Sequence, residues 1–458
     1  MNYSEKRELI LKGDMKKVIW ALSVPVMINN FIQTVYNLTD TFFVGRLGGN
    51  EVAAIQLVWP INFMVMAFGI GMSIAASALI SQYIGADKHE KARLISGQVV
   101  SFLFAMAVIL AMIGVGLSGH IVKWMGATGS LYDNATTYLS ITFLGMPAIF
   151  LLQAYNSIKQ GQGDTISPMI IGGSAVLLNM ILDPIFIFKF QMGISGAALA
   201  TIIAQTVFAL YAVSTLFVKD KGIKITLKEL KWDMEIIWKI ISVGLPSSIG
   251  QATTAFGFAI LNVFLISFGE VTLTAFAIGN RINSLIMMPA MGIGSALATV
   301  VGQNLGADNK QRAKEAVRTS AILSTFILVT SGLIMWPFAR NIVEAFATNE
   351  AIIQNSTEYL RILIMSVPLM GVFQILVGTF QGSGHTLSAM IIMMGRLWGI
   401  RIPMVFFLRI CPGFGPSSIW YAMVSSNLLI CLIGYGIYLT GNWQHQIIKT
   451  KPQVSVDL

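Results

Sequence analysis

Apolar stretches long enough to cross a lipid bilayer recur twelve times along this chain of 458 residues. A spanning helix needs about 20 predominantly apolar residues, and the stretches that meet this requirement are 18–44, 52–80, 95–117, 136–158, 167–190, 194–218, 236–267, 271–301, 317–338, 358–380, 388–409 and 416–440. Only 11% of the residues are charged, whereas an ordinary soluble domain has about 25%. The pattern predicts an all-α polytopic membrane protein with twelve transmembrane helices.

The distribution of Lys and Arg predicts how these helices are oriented. The first apolar run is too long for a cleavable signal peptide and follows a polar start, so we expect the N-terminus to stay in the cytoplasm. The basic residues then cluster in the segments assigned to the inside, as the positive-inside rule requires: Lys6, Arg7, Lys12, Lys16, Lys17, Lys88, Lys91, Arg93, Lys219, Lys221, Lys224, Lys228, Lys231, Lys310, Arg312, Lys314 and Arg318. We therefore expect a plasma (inner) membrane protein with both termini cytoplasmic, and the net charge of +9 requires no nucleic-acid partner.

The second half of the chain repeats the first. Matched residues are separated by a constant distance along the chain, which we call the repeat offset. It aligns Pro25 with Pro246 and Gly71 with Gly292, and it matches the stretch 138–171 to 359–392, where Pro, Gln and Gly recur at corresponding places. Shared apolar composition alone does not bring these residue types into register. The repeat predicts two six-helix bundles, and because six is even, a pseudo-two-fold axis along the membrane normal relates them.

The repeat also predicts the domain organisation. We expect an N-terminal bundle at 1–218, a basic cytoplasmic linker at 219–235 and a C-terminal bundle at 236–458. Transporters commonly bind their substrate between such repeats and alternate access by moving one against the other. An old duplication that is kept only for packing is the alternative. No feature suggests further subunits, so we expect a monomer.

Three motifs resemble those of a known transporter family. They are NLTDTFFVGRLGG at 37–49, QYIGAD at 82–87 and NMILDPIFIF at 179–188. Together with the length and the repeat, they resemble the multidrug and toxic compound extrusion (MATE) family, and within it the DNA-damage-inducible F-like prokaryotic branch. The resemblance implies a secondary-active multidrug efflux antiporter that exports organic cations in exchange for inward protons or, alternatively, sodium ions. Flipping of a lipid-linked or other amphiphilic metabolite is the related alternative.

Two carboxylates of the first half lie at membrane depth, where ionised groups are costly. Asp40 ends a polar stripe on the first helix that begins at Asn29, and Asn179 and Asp183 lie one turn apart on the fifth. At a rise of ~1.5 Å per residue, Asp40, Asp183 and Thr201 fall at a similar depth, on the outer side of the midplane. Two such carboxylates cannot both stay ionised at low cost, so we expect the pair to take up a proton or to share a small cation.

The family resemblance implies a coupling site at the same positions. It places cation coupling at Asp40, Asn179 and Asp183, with Na+ at these three as the alternative to a proton, and the surrounding hydrogen-bond network at Tyr36, Tyr138, Gln153 and Thr201. The alternative is that the two aspartates only join helices. The repeat argues against this alternative. The repeat offset aligns Asp40 with Leu261 and Asp183 with Met404, so the second half lacks both carboxylates although the scaffold around them is repeated.

The second half carries cations at membrane depth instead, namely Arg281, Arg396 and Arg401. For Arg281 we consider a charge that switches partner during transport and, equally, a structural arginine that snorkels to the interface. We expect a substrate cavity between the bundles with soft, Met-rich walls that suit varied hydrophobic cations. Its candidate lining residues are Asn156, Gln251, Asn283, Met287 and Gln374.

The sequence offers little support for a membrane-embedded enzyme. All four histidines fall at predicted loops or helix ends, and neither HExxH nor GxSxG occurs. The GQGD stretch at 161–164 lacks a preceding strand and a Walker lysine, so an ATP site is unsupported. Cys411 and Cys431 support neither a disulfide framework nor a metal site. We therefore expect no enzyme activity and no cofactor, and a channel or receptor fits a charged site in only one of two repeats less well than a transporter.

Overall fold

The computed structural model describes residues 3–218, 222–410 and 415–448. Within these residues, eleven helices are long and apolar enough to cross a membrane, and one bent helix pair supplies a twelfth span. The prediction of an all-α membrane protein with twelve spans is confirmed. The domain boundaries at 218 and 236 stay a prediction, and linker residues 219–221 and Cys411 lie outside the described part of the chain.

The membrane spans of the two halves correspond across the repeat, although some spans are divided into more helices in one half than in the other. The first half contains α1 (Tyr3–Lys12), α2 (Met15–Gly45), α3 (Gly49–Gly85), α4 (His89–Trp124), α5 (Gly129–Leu144), α6 (Met146–Gly161), α7 (Ile166–Pro184) with a π-helix (Ile185–Lys189), and α8 (Gly193–Leu216). The second half contains α9 (Met234–Ser267), α10 (Glu270–Gly306), α11 (Lys310–Met335), α12 (Ala339–Glu344), α13 (Glu350–Gly382), α14 (Thr386–Met394), a π-helix (Gly395–Arg401), α15 (Ile402–Ile410) and α16 (Ser417–Leu439). The spans α2–α8 form the first bundle and α9–α16 the second; the short helices α1 and α12 lie outside the predicted spans.

The fourth span is bent, which the hydropathy pattern did not predict. Its two parts, α5 and α6, meet at 44° around Gly145. Pro147 lies at the start of α6, where it lacks an N–H and its ring crowds the carbonyl of Phe143 four residues earlier. Pro368, its counterpart in the repeat, lies within an uninterrupted α13. A proline at this position of the repeat is therefore not sufficient to break the helix.

The two bundles meet through pairs of helices that the repeat relates. In the first bundle α3 packs against α9 and α10 of the second, and α2 packs against α10. Gly85 ends α3 and Gly306 ends α10. A Cβ at Gly85 would overlap the Gln303 carbonyl oxygen, and a Cβ at Gly306 would overlap the Gln82 carbonyl oxygen. The backbones of the two bundles therefore touch at this end of the interface, which only glycine permits.

We call this end of the molecule the basic face. It is the end that carries α1, the linker residues 222–233 and the C-terminal residues 441–448. On it, α1 is held to the first bundle: Arg7 donates to the carbonyl oxygens of Ile84 at 2.9 Å and Gly85 at 3.0 Å. Lys6 forms an ion pair with Asp164 at 3.2 Å. Helix α1 thus closes over the loops between the first bundle's helices.

Helix α1 is held to the second bundle as well. Arg312, in the first turn of α11, donates to the carbonyl oxygens of Ile10 and Gly13. These carbonyls belong to the C-terminal end of α1, whose partial negative charge a guanidinium stabilises. The side chain of Ile10 is only 1% exposed. A helix that the hydropathy pattern left unassigned therefore spans the junction between the bundles.

Candidate functional site

A cavity of about 390 Å³ lies between the two bundles, and we call it the central cavity. Its walls come from α2, α3 and α6 of the first bundle and from α9, α10 and α13 of the second. Much of the lining is uncharged and polar, and it includes Asn29, Gln153, Asn156, Gln251, Gln374 and Gln381. Amides and short apolar side chains without a fixed charge can accept ligands of varied shape.

A second cavity, of about 270 Å³, lies inside the first bundle, and we call it the bundle cavity. Its walls come from α2, α3, α6, α7 and α8. Asn29, Gln153 and Asn156 line both cavities. A change in the position of α2 or α6 therefore alters both cavities together.

The bundle cavity contains a hydrogen-bond network that joins three helices. The Asn179 side-chain amide donates to Asp183 Oδ1 and to Thr201 Oγ1, each at 3.1 Å. The hydroxyl groups of Thr201 and Tyr36 are 3.3 Å apart. Asn179 and Asp183 face the same way because they lie four residues apart on α7, which ends at Pro184. The structure thus brings together four of the residues that the sequence assigned to the coupling site.

Two oxygen atoms of this network are buried without a partner. Asp183 is 0% exposed and Asn179 is 3% exposed, and Asp183 Oδ2 and Asn179 Oδ1 accept no hydrogen bond from any described residue. A buried acceptor without a donor is destabilising by roughly 1–3 kcal/mol. A proton on Asp183, or a small cation that both oxygens contact, removes that penalty. The arrangement is therefore suited to taking up positive charge.

Asp40 and Tyr138 lie around this network without bonding to it. Asp40 follows Tyr36 by one turn on α2 and is partly exposed, and its charge interacts with that of Asp183. Tyr138, on α5, interacts electrostatically with both carboxylates. Among the described residues, Asp40 forms no ion pair. Two acidic groups thus share one region without a basic side chain, while their role in coupling stays a prediction.

Gln153 occupies a different place from the rest of the predicted network. It accepts a hydrogen bond from Ser73 Oγ at 3.4 Å and lies between the two cavities. Sequence reasoning missed Gln205, which lines the bundle cavity and whose Oε1 is buried without a partner in the described chain. Its position one turn beyond Thr201 on α8 was a signal that could have found it.

Three of the five predicted substrate residues line the central cavity, namely Asn156, Gln251 and Gln374. Asn283 and Met287 are absent from the part of its wall that the structure describes. On α10 the lining begins at Met291, nearer to the basic face. Met287 lies on the other side of Pro289 and packs in an apolar cluster of the second bundle. The assignment of these two residues to the substrate site stays a prediction, and the structure places them deeper in the second bundle than the described wall of the central cavity.

Arg281 lies on the surface of α10 with its side chain exposed. It forms no ion pair within residues 3–218, 222–410 and 415–448. This position suits the snorkelling alternative, and partner switching stays a prediction. Over the same residues, no three His, Cys, Asp or Glu side chains form a group that could hold a metal ion.

Comparison with known proteins places the repeat in a family. The family model MatE matches residues 25–185 and again 246–407, so the two matches begin at Pro25 and Pro246, which the repeat offset aligns. The probable multidrug resistance protein YoeA of Bacillus subtilis is 27% identical over 95% of this chain and 96% of its own. The probable multidrug resistance protein NorM of Thermotoga maritima is 27% identical over 99% and 98%.

Solved structures show the same architecture. The outward-facing conformation of a multidrug resistance MATE family transporter of the MOP superfamily superposes with a TM-score of 0.90 at 27% identity, covering 95% of this chain and 98% of the other. The twelve spans, the two bundles and both family matches agree with the resemblance seen in the sequence. The chain belongs to the MatE family of membrane transporters, which are not enzymes.

Proposed function

We propose that this protein is a multidrug efflux antiporter that exports organic cations in exchange for protons, with sodium as the alternative coupling ion. Relatives that match almost its full length are multidrug resistance and multidrug export proteins. The observation that carries the coupling proposal is the unpartnered pair of buried oxygens, Asp183 Oδ2 and Asn179 Oδ1, beside Asp40. Uptake of one positive charge gives these buried oxygens a partner and reduces the repulsion between the two carboxylates.

The proposal assigns the basic face to the cytoplasm of the cell and the protein to its plasma membrane. With that face closed, the central cavity communicates with the outside. A proton that reaches Asp40 and Asp183 from outside neutralises the pair and favours a different position of α2, by bending near Pro25 or around Asp40. Asn29, on the same helix, lines both cavities, so the movement reaches the substrate directly. Protonation drives this step only because the two conformations differ in proton affinity.

The decisive experiment is transport of a fluorescent organic cation in proteoliposomes under an imposed pH gradient or an imposed sodium gradient. We expect the parent protein to respond to the pH gradient, and Asp40→Asn and Asp183→Asn to transport no faster with either gradient than without one. Asp133→Asn is the matched control, because Asp133 is an exposed carboxylate at the start of α5 and should not affect coupling.

Two results would change the proposal. Normal coupling in Asp40→Asn and Asp183→Asn would move the coupling site elsewhere. A response of the parent protein to the sodium gradient alone would replace protons by sodium at the same residues.

A further inference from the structure

Two arginines are buried inside the second bundle, where the antiport proposal assigns them no task. Arg396 is 7% exposed and Arg401 is 2% exposed. Across the described residues, neither pairs with a carboxylate. A guanidinium keeps its charge in proteins, and a buried charge without a counter-charge is strongly unfavourable. The fold therefore confines two positive charges in an apolar bundle without supplying a negative one.

Both arginines lie in a local departure from α-helical geometry, and their charges interact with each other. Both belong to the π-helix Gly395–Arg401. In an α-helix, residues five apart point roughly 140° away from each other, whereas the i→i+5 hydrogen bonding of a π-helix brings them close to alignment. π-Helical turns are frequent at functional sites. The spacing of Arg396 and Arg401 thus matches the geometry that puts their side chains on one face.

Neutral groups orient Arg401 without balancing its charge. Its Nε donates to Ser426 Oγ at 3.0 Å and its Nη2 to Asn427 Oδ1 at 2.9 Å. Asn427 in turn donates to Ser366 Oγ at 3.2 Å. These contacts fix the guanidinium against α16, which Asn427 joins to α13.

The guanidinium group of Arg396 has weaker hydrogen-bond partners than that of Arg401. Its guanidinium carbon lies 4.2 Å from the centre of the Phe373 ring, and Nη1 contacts Met370 Sδ at 3.0 Å. A thioether is a weak acceptor, and the cation–π contact compensates only part of the lost hydration. Its Nε is buried with no acceptor among the described residues. An N–H donor of a charged group therefore lacks a partner in the middle of the bundle.

The unpartnered atoms beside the buried charged groups differ between the two bundles. In the first bundle the unpartnered atoms of Asn179 and Asp183 are acceptors. In the second, the unpartnered Arg396 Nε is a donor, and so is Trp420 Nε1. By the repeat offset, Arg401 corresponds to Met180, one turn before Asp183. The site that attracts a cation in one repeat has a counterpart in the other whose chemistry attracts an anion.

We propose that the second bundle binds a small monovalent anion of halide size at Arg396 and Arg401. The neighbouring side chains of Leu397 and Ser426 are fully buried, and this close packing favours a monatomic ion over an organic carboxylate or a phosphate. The anion accepts hydrogen bonds from the unsatisfied N–H groups and balances one of the two positive charges. It thereby joins the π-helical segment to α13 and α16, which makes the second bundle a stable partner for the movements of the first.

Thermal unfolding of the purified full-length protein tests this site. Sodium gluconate is replaced stepwise by sodium chloride or sodium bromide at constant sodium concentration and ionic strength, so that any sodium site stays equally occupied. We expect a saturable rise in Tm of roughly 1–2 °C once the halide is in about tenfold excess over its Kd. Arg396→Met and Arg401→Met should lose this rise. Arg361→Met is the control that should keep it, since Arg361 is an exposed arginine of the same bundle.

A parent protein whose Tm is the same in gluconate and halide overturns the proposal. So does an equal halide effect in Arg396→Met and Arg401→Met, which would mark it as a general salt effect. If those variants do not fold, crystals of the parent protein in bromide decide the question. An anomalous peak within hydrogen-bond distance of both guanidinium groups supports the site, and its absence refutes it.

Discussion

Gln82 and Gln303 occupy equivalent positions in the two repeats and make similar hydrogen bonds in opposite directions across the bundle interface, to acceptors that lie one residue apart in the repeat alignment. Gln82 Nε2 donates to the Ser383 carbonyl oxygen at 3.0 Å, and Gln303 Nε2 donates to the Gly161 carbonyl oxygen at 2.9 Å. Both glutamines are fully buried. The basic face is therefore closed by two copies of one interaction, which the duplication of the chain produced.

We predict that the two glutamines contribute jointly to this closure. In Gln82→Leu or Gln303→Leu a buried carbonyl loses its donor, at roughly 1–3 kcal/mol each, and the double variant should open the basic face most often. The substitution Ser77→Cys, at a residue that lines the central cavity, reports the opening in a background carrying Cys411→Ala and Cys431→Ala. We expect a membrane-impermeant thiol reagent applied from the basic face to label it several-fold faster in the double variant.

The control for this comparison is Gln354→Leu, because Gln354 is exposed on α13. Its labelling rate should equal that of the parent protein. Equal rates in the parent and in the double glutamine variant would show that these bonds do not hold the face closed.

We predict that Gly85→Ala and Gly306→Ala reduce export. The added Cβ would overlap a backbone carbonyl oxygen of the other bundle, and backbone cannot give way as a side chain can. Gly116→Ala, at a helical glycine with open space around it, should transport normally and gain roughly 0.5–1 kcal/mol of stability. Dye efflux from cells with matched expression measures the effect. Efflux by Gly85→Ala at the rate of Gly116→Ala would contradict a close backbone contact during the cycle.

We predict that Thr201→Val weakens coupling without unfolding the bundle. Valine keeps the shape but removes the hydroxyl that accepts from Asn179 and bonds to Tyr36. The loss of roughly 1 kcal/mol in hydrogen bonding corresponds to a change of about fivefold in transport driven by a pH gradient. Thr215→Val on the same helix is the control, because the Thr215 hydroxyl bonds to the Ala212 carbonyl. Similar rates for both variants would remove Thr201 from the site.

We predict a defined pH dependence for the docking of α1. Burial opposes ionisation of Asp164, but hydrogen bonds from Ser167 and the charge of Lys6 outweigh it and hold the pKa of Asp164 below its ordinary value. A carboxylate with a lowered pKa contributes stability above its unfolded pKa of about 3.9 and loses that contribution as the pH falls through the folded value. The Tm difference between the parent and Lys6→Gln should therefore be constant from about pH 8 to pH 5 and shrink below about pH 4.

Asp164→Asn supplies the comparison for this ion pair. Adding Lys6→Gln to it should lower Tm less than the same change does in the parent protein, because the partner is already neutral. A Tm difference that widens toward acidic pH would contradict the assigned sign.

The features that were predictable from sequence are those that depend on local geometry. Counting helical rise placed Asp183 and Thr201 at one depth, and the structure joins them through Asn179. The bend at Gly145 and the depth at which the central cavity begins were not predictable, because both depend on packing between helices that are distant in the chain. Met287 is the example, since its helix does line the central cavity but the described lining begins one turn later, at Met291.

The buried arginines show a second kind of limit. Sequence placed Arg396 and Arg401 at membrane depth, yet α-helical periodicity would have sent them to different faces. The π-helical segment reduces the angle between them, and no residue pattern in that stretch indicated it. Gln205 was the opposite case, since its periodic position beside Thr201 was visible and was overlooked.

Helix α1 has a consequence for how the protein is made. It leaves the ribosome before the helices that it contacts, and its contacts with Ile84, Gly85 and Asp164 become available early in synthesis. Its last anchor, Arg312, follows about three hundred residues later. At 5–20 residues per second this is a delay of roughly 15–60 s. Helix α1 is thus translated before both bundles but is fully secured only after α11 of the second bundle has been made.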